Sequence, residues 1–232
     1  MVLRGVVFDL FGTLIEGWGE QTAASKSTEI AEILGIPAST FVELMHTTYT
    51  LRANGQLGGP AEMLRKLSAM LGADPPQEAV ERAAEHRVAQ FREVLREPRP
   101  ETTSLLAVLR DRSLRVGLIS DCSGETPLLW PHLAWTAPIQ AAVFSWCERA
   151  RKPDPALYGR AAELLDLAPS ECLYVGDGGS QELSGAERAG MRACQLLAPR
   201  RSGDRLLQYN PDLAWSGATV STLSEILPRL WS

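Results

Sequence analysis

The chain has 232 residues, 45% of them hydrophobic and 22% charged, the balance of an ordinary globular protein with a sizeable core. A formal net charge of −5 with no clustered basic stretch argues against a nucleic-acid partner, and no apolar run is long enough to span a bilayer. The length suits one large domain, or a core with a smaller insert.

The first apolar run, Val6-Val7-Phe8, carries Asp9 at its end and stops at Gly12 and Thr13. An uninterrupted apolar strand belongs at the centre of a sheet covered on both faces. A charged residue where that strand leaves the sheet sits at the carboxyl edge, where open α/β sheets place their ligands. Asp is also a common turn and cap residue, so Asp9 on its own leaves both readings open.

After the loop Glu16-Gly17-Trp18-Gly19, the spacing predicts four helices. The first carries Ile30, Ile33 and Leu34 and ends at Gly35. The second carries Phe41, Leu44, Met45 and Thr48 on one face. The third, after Gly58-Gly59-Pro60, carries Met63, Leu64, Leu67 and Met70. The fourth follows Pro75-Pro76 and carries Val80, Ala83, Ala84, Phe91 and Val94. Four helices without an intervening strand predict a small bundle, closed by Pro98-Arg99-Pro100.

The pattern then alternates. A helix over Leu105–Leu109 leads to a strand at Val116–Ser120, with another strand at Ala142–Phe144. A helix around Leu157, Ala161 and Leu164 leads to a strand at Leu173–Asp177. A helix at Glu182–Ala189, strands near Arg192–Leu197 and Ala218–Val220, and a final helix at Leu223–Leu230 complete the chain. This alternation predicts a doubly wound parallel sheet. Its first strand precedes the bundle and the rest follow, giving a core of residues 1–15 and 97–232 and an inserted unit of 16–96. The stretch 199–203 reads as surface loop. Four cysteines lack metal-ligand spacing, and Cys172 and Cys194 fall in apolar runs that suit reduced, buried thiols. Arg4 and Asp9 interrupt the apolar start and argue against a secretory leader. A cytoplasmic monomer or homodimer is expected.

Four strand ends carry polar residues: Asp9 with Thr13, Ser120 with Asp121, Lys152, and Asp177. In a parallel sheet these ends share one edge. A close carboxylate pair there invites an oxygen-ligated divalent cation, most simply Mg²⁺. A lysine and hydroxyls suit a phosphate or similar anion, so a small anionic substrate is expected. Taken singly, Ser120 could start a turn, Lys152 could be solvated and Asp177 could cap a helix.

Together these stretches resemble the haloacid dehalogenase superfamily. Asp9-Leu10-Phe11-Gly12-Thr13 is similar to its nucleophile motif, and Leu118-Ile119-Ser120 to its hydroxyl-bearing second motif. Lys152-Pro153-Asp154-Pro155 is similar to its lysine motif. Val175-Gly176-Asp177-Gly178, with Glu182, is similar to its acidic fourth motif. The inserted bundle resembles the helical cap of the first cap class. The resemblance implies that Asp9 attacks an electrophilic centre, usually phosphorus, and forms a covalent aspartyl intermediate. It implies that Thr13 and Ser120 bind the transferring group and that Lys152 neutralises charge. Mg²⁺ would be held by Asp9, the backbone carbonyl of Phe11 and Asp177, with Glu182 acting directly or through water. Asp121, in the core, would add a substrate contact; the cap would add others, with Trp18 the candidate beside it, and would swing on residues 16–19 and 96–100.

One departure matters. Most phosphatases of this family carry a second aspartate, the general acid and base, where this chain has Phe11, and a phenyl ring moves no proton. Glu16, His46 and Asp121 are the candidate substitutes. A 2-haloacid dehalogenase, whose halide leaves without a proton, fits Phe11. Asp177 opposes that alternative, as does the absence of an arginine from Ser39–Leu44, where such enzymes carry one. A non-catalytic anion-binding module that keeps the fold is a third alternative. The expected activity is that of a magnesium-dependent hydrolase of a small phosphorylated metabolite.

Overall fold

A computed structural model describes residues 2–199 and 209–230; beyond Pro199, the loop expected over 199–203 lies outside the described residues. The centre is a sheet of six parallel strands in the order β3-β2-β1-β4-β5-β6. The strands are β1 (Gly5–Phe8), β2 (Arg115–Ser120), β3 (Ala141–Phe144), β4 (Cys172–Gly176), β5 (Arg192–Leu196) and β6 (Ala218–Val220). The register sets Phe8 between Leu118 of β2 and Val175 of β4. Alternate side chains point to opposite faces of a strand. Val6, Phe8, Val116 and Leu118 pack with Leu105, Leu106 and Leu109 of α6 (Thr102–Asp111). Val7, Ile119, Val143 and Tyr174 pack on the other face with α9 (Pro155–Leu164) and α10 (Glu182–Arg188). The strand order reverses direction between β1 and β4, so a crevice opens where both strands end. Cys122, Cys172 and Cys194 are buried free thiols and Cys147 is an exposed one.

Between β1 and α6 lie α1 (Glu20–Leu34), α2 (Ala38–Thr47), α3 (Tyr49–Ala53), α4 (Pro60–Met70) and α5 (Gln77–Leu95). These helices share a separate apolar cluster that includes Ile30, Phe41, Met45, Leu64, Leu67 and Val80. Where one second helix was expected through Thr48, two occur. The Thr48 hydroxyl donates to the Leu44 carbonyl at 2.6 Å, a back-bond that competes with the helical ladder. The terminal segment Leu223–Leu230 is a 3₁₀ helix rather than an α-helix; Pro228 within it supplies no N–H. Short α7 (Glu125–Leu129) and α8 (Ser145–Glu148) follow β2 and β3.

The segments entering and leaving the bundle are joined. Ile15 bridges Pro98, the Arg99 amide donates to the Leu14 carbonyl at 2.9 Å, and the Thr102 hydroxyl donates to the same carbonyl at 2.7 Å. The bundle is docked over the strand ends. The Ser145 hydroxyl donates to the Ala53 carbonyl at 2.7 Å, and the Arg149 guanidinium donates to the Gly55 carbonyl at 2.8 Å. Gly55, at φ +71, lets the Trp146 carbonyl approach to where a Cβ would lie 2.6 Å away. Among the described residues no helix is long and apolar enough to cross a membrane.

Candidate active site

The crevice gathers the polar strand ends. Asp9 follows β1 and is almost fully buried; its amide continues the ladder by donating to the Val175 carbonyl at 2.9 Å. Lys152, in the loop before α9, reaches across to it. Its Nζ lies 2.6 Å from Asp9 Oδ1 and 2.5 Å from Glu182 Oε2. All three side chains are buried. Burial, and then the charge of Glu182, push the Asp9 carboxyl well above its ordinary range, against the pull of Lys152. Burial acts to discharge Lys152, but Asp9 and Glu182 outweigh it and hold the ammonium well above its ordinary value.

Glu182 is occupied on both oxygens. Oε1 accepts the Gly178 amide at 2.9 Å, and Oε2 accepts the Tyr174 hydroxyl at 2.8 Å as well as the lysine. The Tyr158 hydroxyl donates to the Glu182 carbonyl at 2.9 Å. Gly176 leaves room for this carboxylate, since a Cβ there would sit 2.1 Å from Glu182 Oε1. Sequence reading paired Glu182 with a metal; the geometry gives it first to Lys152. Tyr174 was missed. Its signal is a phenol in an otherwise apolar buried strand, where the hydroxyl needs a partner.

Asp9, Asp177 and Glu182 each offer a carboxylate oxygen, all within 4.8 Å of one another. Asp177 follows β4 and folds back over the β1 loop. A Cβ on Gly12 would lie 2.1 Å from Asp177 Oδ2, and Gly12 has φ +89, a conformation that suits glycine. Asp9 Oδ2, Thr13 Oγ1 and Ser120 Oγ are buried with no hydrogen-bond partner among the described residues. Leaving such an atom unpaired costs about 1–3 kcal/mol, so three at one sheet edge mark a place built for a ligand. An all-oxygen donor set with an unpartnered carboxylate oxygen fits a hard divalent cation such as Mg²⁺.

Asp121 is turned to a different task. Its Oδ1 accepts the Lys152 amide at 3.0 Å and its Oδ2 lies 3.3 Å from Arg151 Nε. Phe11 and Trp18 stand on the bundle side. Each meets Phe91 edge-to-face, with ring centroids 6.4 Å and 4.7 Å away. Phe11, Trp18, Asp121 and the exposed His46 line a cavity of about 570 Å³ between bundle and sheet; Glu16 is not among its walls. Two buried arginines, Arg52 of α3 and Arg87 of α5, also face it. Sequence reading had assigned neither of them a role.

A family model described as haloacid dehalogenase-like hydrolase matches residues 3–190. The chain is 31% identical over 203 residues to a phosphoserine phosphatase of Thermus thermophilus, covering 85% of this chain and 78% of that one. It is 27% identical over 150 residues to the rhythmically expressed gene 2 protein of Drosophila melanogaster, covering 61% of this chain and only 57% of that relative's length. A solved 2-haloacid dehalogenase from Pseudomonas syringae superposes with a TM-score of 0.66 at 22% identity, over 98% of this chain and 97% of that one.

Proposed function

The chain belongs to the haloacid dehalogenase-like hydrolases, and from that premise we propose that it hydrolyses a small phosphorylated metabolite, with Asp9 as nucleophile and Mg²⁺ as cofactor. The observation that carries this reading is the set of buried, unpartnered oxygens of Asp9, Thr13 and Ser120 beside a lysine held at 2.6 Å. Asp9 Oδ2 attacks phosphorus as the ester oxygen departs, giving an aspartyl phosphate. Water then cleaves the acyl phosphate, releasing inorganic phosphate and restoring Asp9. The Thr13 and Ser120 hydroxyls donate to the phosphoryl oxygens. Lys152, positioned by Glu182 and Tyr174, orients Asp9 and offsets negative charge around the transferring group. Asp9, the Phe11 carbonyl and Asp177 would hold Mg²⁺, which supplies charge neutralisation when bound. The phosphatase name of the 31% identical relative supports the same reaction class.

Phe11 favours a second reading, a 2-haloacid dehalogenase-like displacement, because halide leaves unprotonated. Asp177 weighs against it: two carboxylates this close without a cation drive one toward protonation. The test is release of phosphate from a panel of phosphorylated metabolites and of chloride from 2-chloropropionate, each in Mg²⁺ and in chelator. Phosphate release that stops in chelator is expected. Metal-independent chloride release would establish the dehalogenase reading, and neither product would favour a binding module.

A further inference from the structure

Arg52 is a cation buried without a carboxylate. It is 7% exposed, and no acidic side chain among the described residues forms an ion pair with it. Its Nη2 donates to the Met45 carbonyl at 2.5 Å, its guanidinium also hydrogen-bonds the Tyr209 side chain and lies 5.7 Å from the centre of the Tyr49 ring, and its Nε has no partner. Arg87 differs: its charge is answered by Glu125 at 2.5 Å. Desolvation, and then the nearby Arg87 charge, push the Arg52 pKa down. A buried guanidinium is costly unless an anion answers it, and Arg52 faces the 570 Å³ cavity that reaches Phe11, two residues from the nucleophile. That volume falls in the range of sites for ligands well beyond a two-carbon phosphate. The lining includes the apolar side chains Trp18, Val42 and Phe91, with Glu20, Glu43 and Asp121 also on its walls.

We infer that Arg52 binds a second anionic group of the substrate, at the end remote from the transferred phosphoryl group, across an apolar body. The substrate class is thus a phosphate monoester carrying a carboxylate or a second phosphate-like group. The inference rests on the phosphatase reading for the reacting end but not for the Arg52 end, and the two are separable.

Turnover of phenyl phosphate is compared with that of its para-carboxylate, para-phosphonate and neutral para-carboxamide analogues. The expected result is a kcat/KM for one or both anionic analogues about tenfold to a hundredfold above the carboxamide, the worth of a charge-assisted hydrogen bond. The better of the two names the anion. In Arg52→Gln that ratio collapses toward one, and in Arg52→Lys part of it returns. Equal rates for anionic and neutral analogues in the wild type, which needs no variant to fold, would overturn the inference. So would a ratio that survives in folded Arg52→Gln. Calorimetric binding of 4-hydroxybenzoate, 4-hydroxyphenylphosphonate and 4-hydroxybenzamide separates this from chemistry. If no analogue is hydrolysed yet an anion binds tighter than the amide and depends on Arg52, the phosphatase reading alone falls. If neither anion binds better than the amide, the Arg52 site does not exist.

Discussion

Arg87 of α5 and Glu125 of α7 form a buried ion pair that bolts the helical bundle to the sheet. Arg87 Nε lies 2.5 Å from Glu125 Oε1, and the Ser123 hydroxyl donates to the other oxygen at 2.5 Å. Burial would raise the Glu125 pKa, but the Arg87 charge and the Ser123 hydroxyl more than offset it and hold the carboxyl below its ordinary value. A carboxyl depressed in the folded state contributes stability that is complete above its unfolded pKa, about 4.3, and lost as pH falls through the folded value. Removing one partner of a buried pair costs about 3–5 kcal/mol. Arg87→Met should therefore lower the denaturation midpoint at pH 7 substantially. Arg87→Met with Glu125→Gln should be milder, and its stability should vary less between pH 5 and 3 than that of the wild type. Equal losses at pH 7 for the single and double variants would show that the pair does not act as a unit.

Asp9→Asn keeps shape and removes the charge of the proposed nucleophile. Turnover should fall to background while the folded state remains, because Asn still accepts from Lys152. Mass spectrometry of acid-quenched wild type should show one added phosphoryl group that the variant lacks. Wild-type turnover by purified Asp9→Asn would exclude the covalent route.

The sheet and the cluster of polar strand ends were legible because a charge or hydroxyl at the end of an apolar strand is conspicuous. Asp9, Ser120 and Asp177 each close such a run. The buried charges on the bundle side were not legible. Arg52, Arg87 and Glu125 occupy helices whose sequence offers polar residues at nearly every turn, so nothing local separates an inward arginine from a solvated one. Their burial follows from docking two units, and the Arg87–Glu125 pair spans 38 residues of chain. The break at Thr48 was hidden for another reason: the apolar spacing continues through it, and the hydroxyl back-bond at 2.6 Å appears only once the turn forms. Glu182 was legible as an acid near the strand ends and stands with Asp9 and Asp177 in the structure; its lysine and tyrosine partners were not, because they come from other elements.

Asp177→Ala should weaken Mg²⁺ binding at neutral pH by at least tenfold in calorimetry. It removes one of three clustered carboxylates, and of the two left Glu182 is already engaged by Lys152, Tyr174 and Gly178. The fold should persist, since Asp177 lies at the strand end and its carbonyl, which accepts Gln195 at 3.0 Å, is unchanged. Unaltered affinity would place the ion elsewhere.

In the proposed reaction, Phe11 decides how the aspartyl intermediate is discharged. With a phenyl ring where most phosphatases of the family carry an acid, the first step should still run on an aryl phosphate, because a phenolate leaves without much help. For the second step, two of the candidate bases are engaged elsewhere. Asp121 is held by Arg151 and the Lys152 amide, and the exposed His46 packs toward the Tyr209 ring at 5.5 Å. Stopped-flow hydrolysis of 4-nitrophenyl phosphate should therefore release about one equivalent of nitrophenolate in a burst, followed by slow turnover. Phe11→Asp should shorten the slow phase. The gain is bounded by the 10²–10⁴-fold typical of general acid–base catalysis and reduced by the lost contact with Phe91, 6.4 Å away. An alkyl phosphate, whose leaving oxygen needs a proton, should gain in the first step as well. A wild type without a burst would mean that water is activated by another group, and a slower slow phase in folded, Mg²⁺-binding Phe11→Asp would mean that the ring serves the substrate pocket more than its absence serves proton transfer.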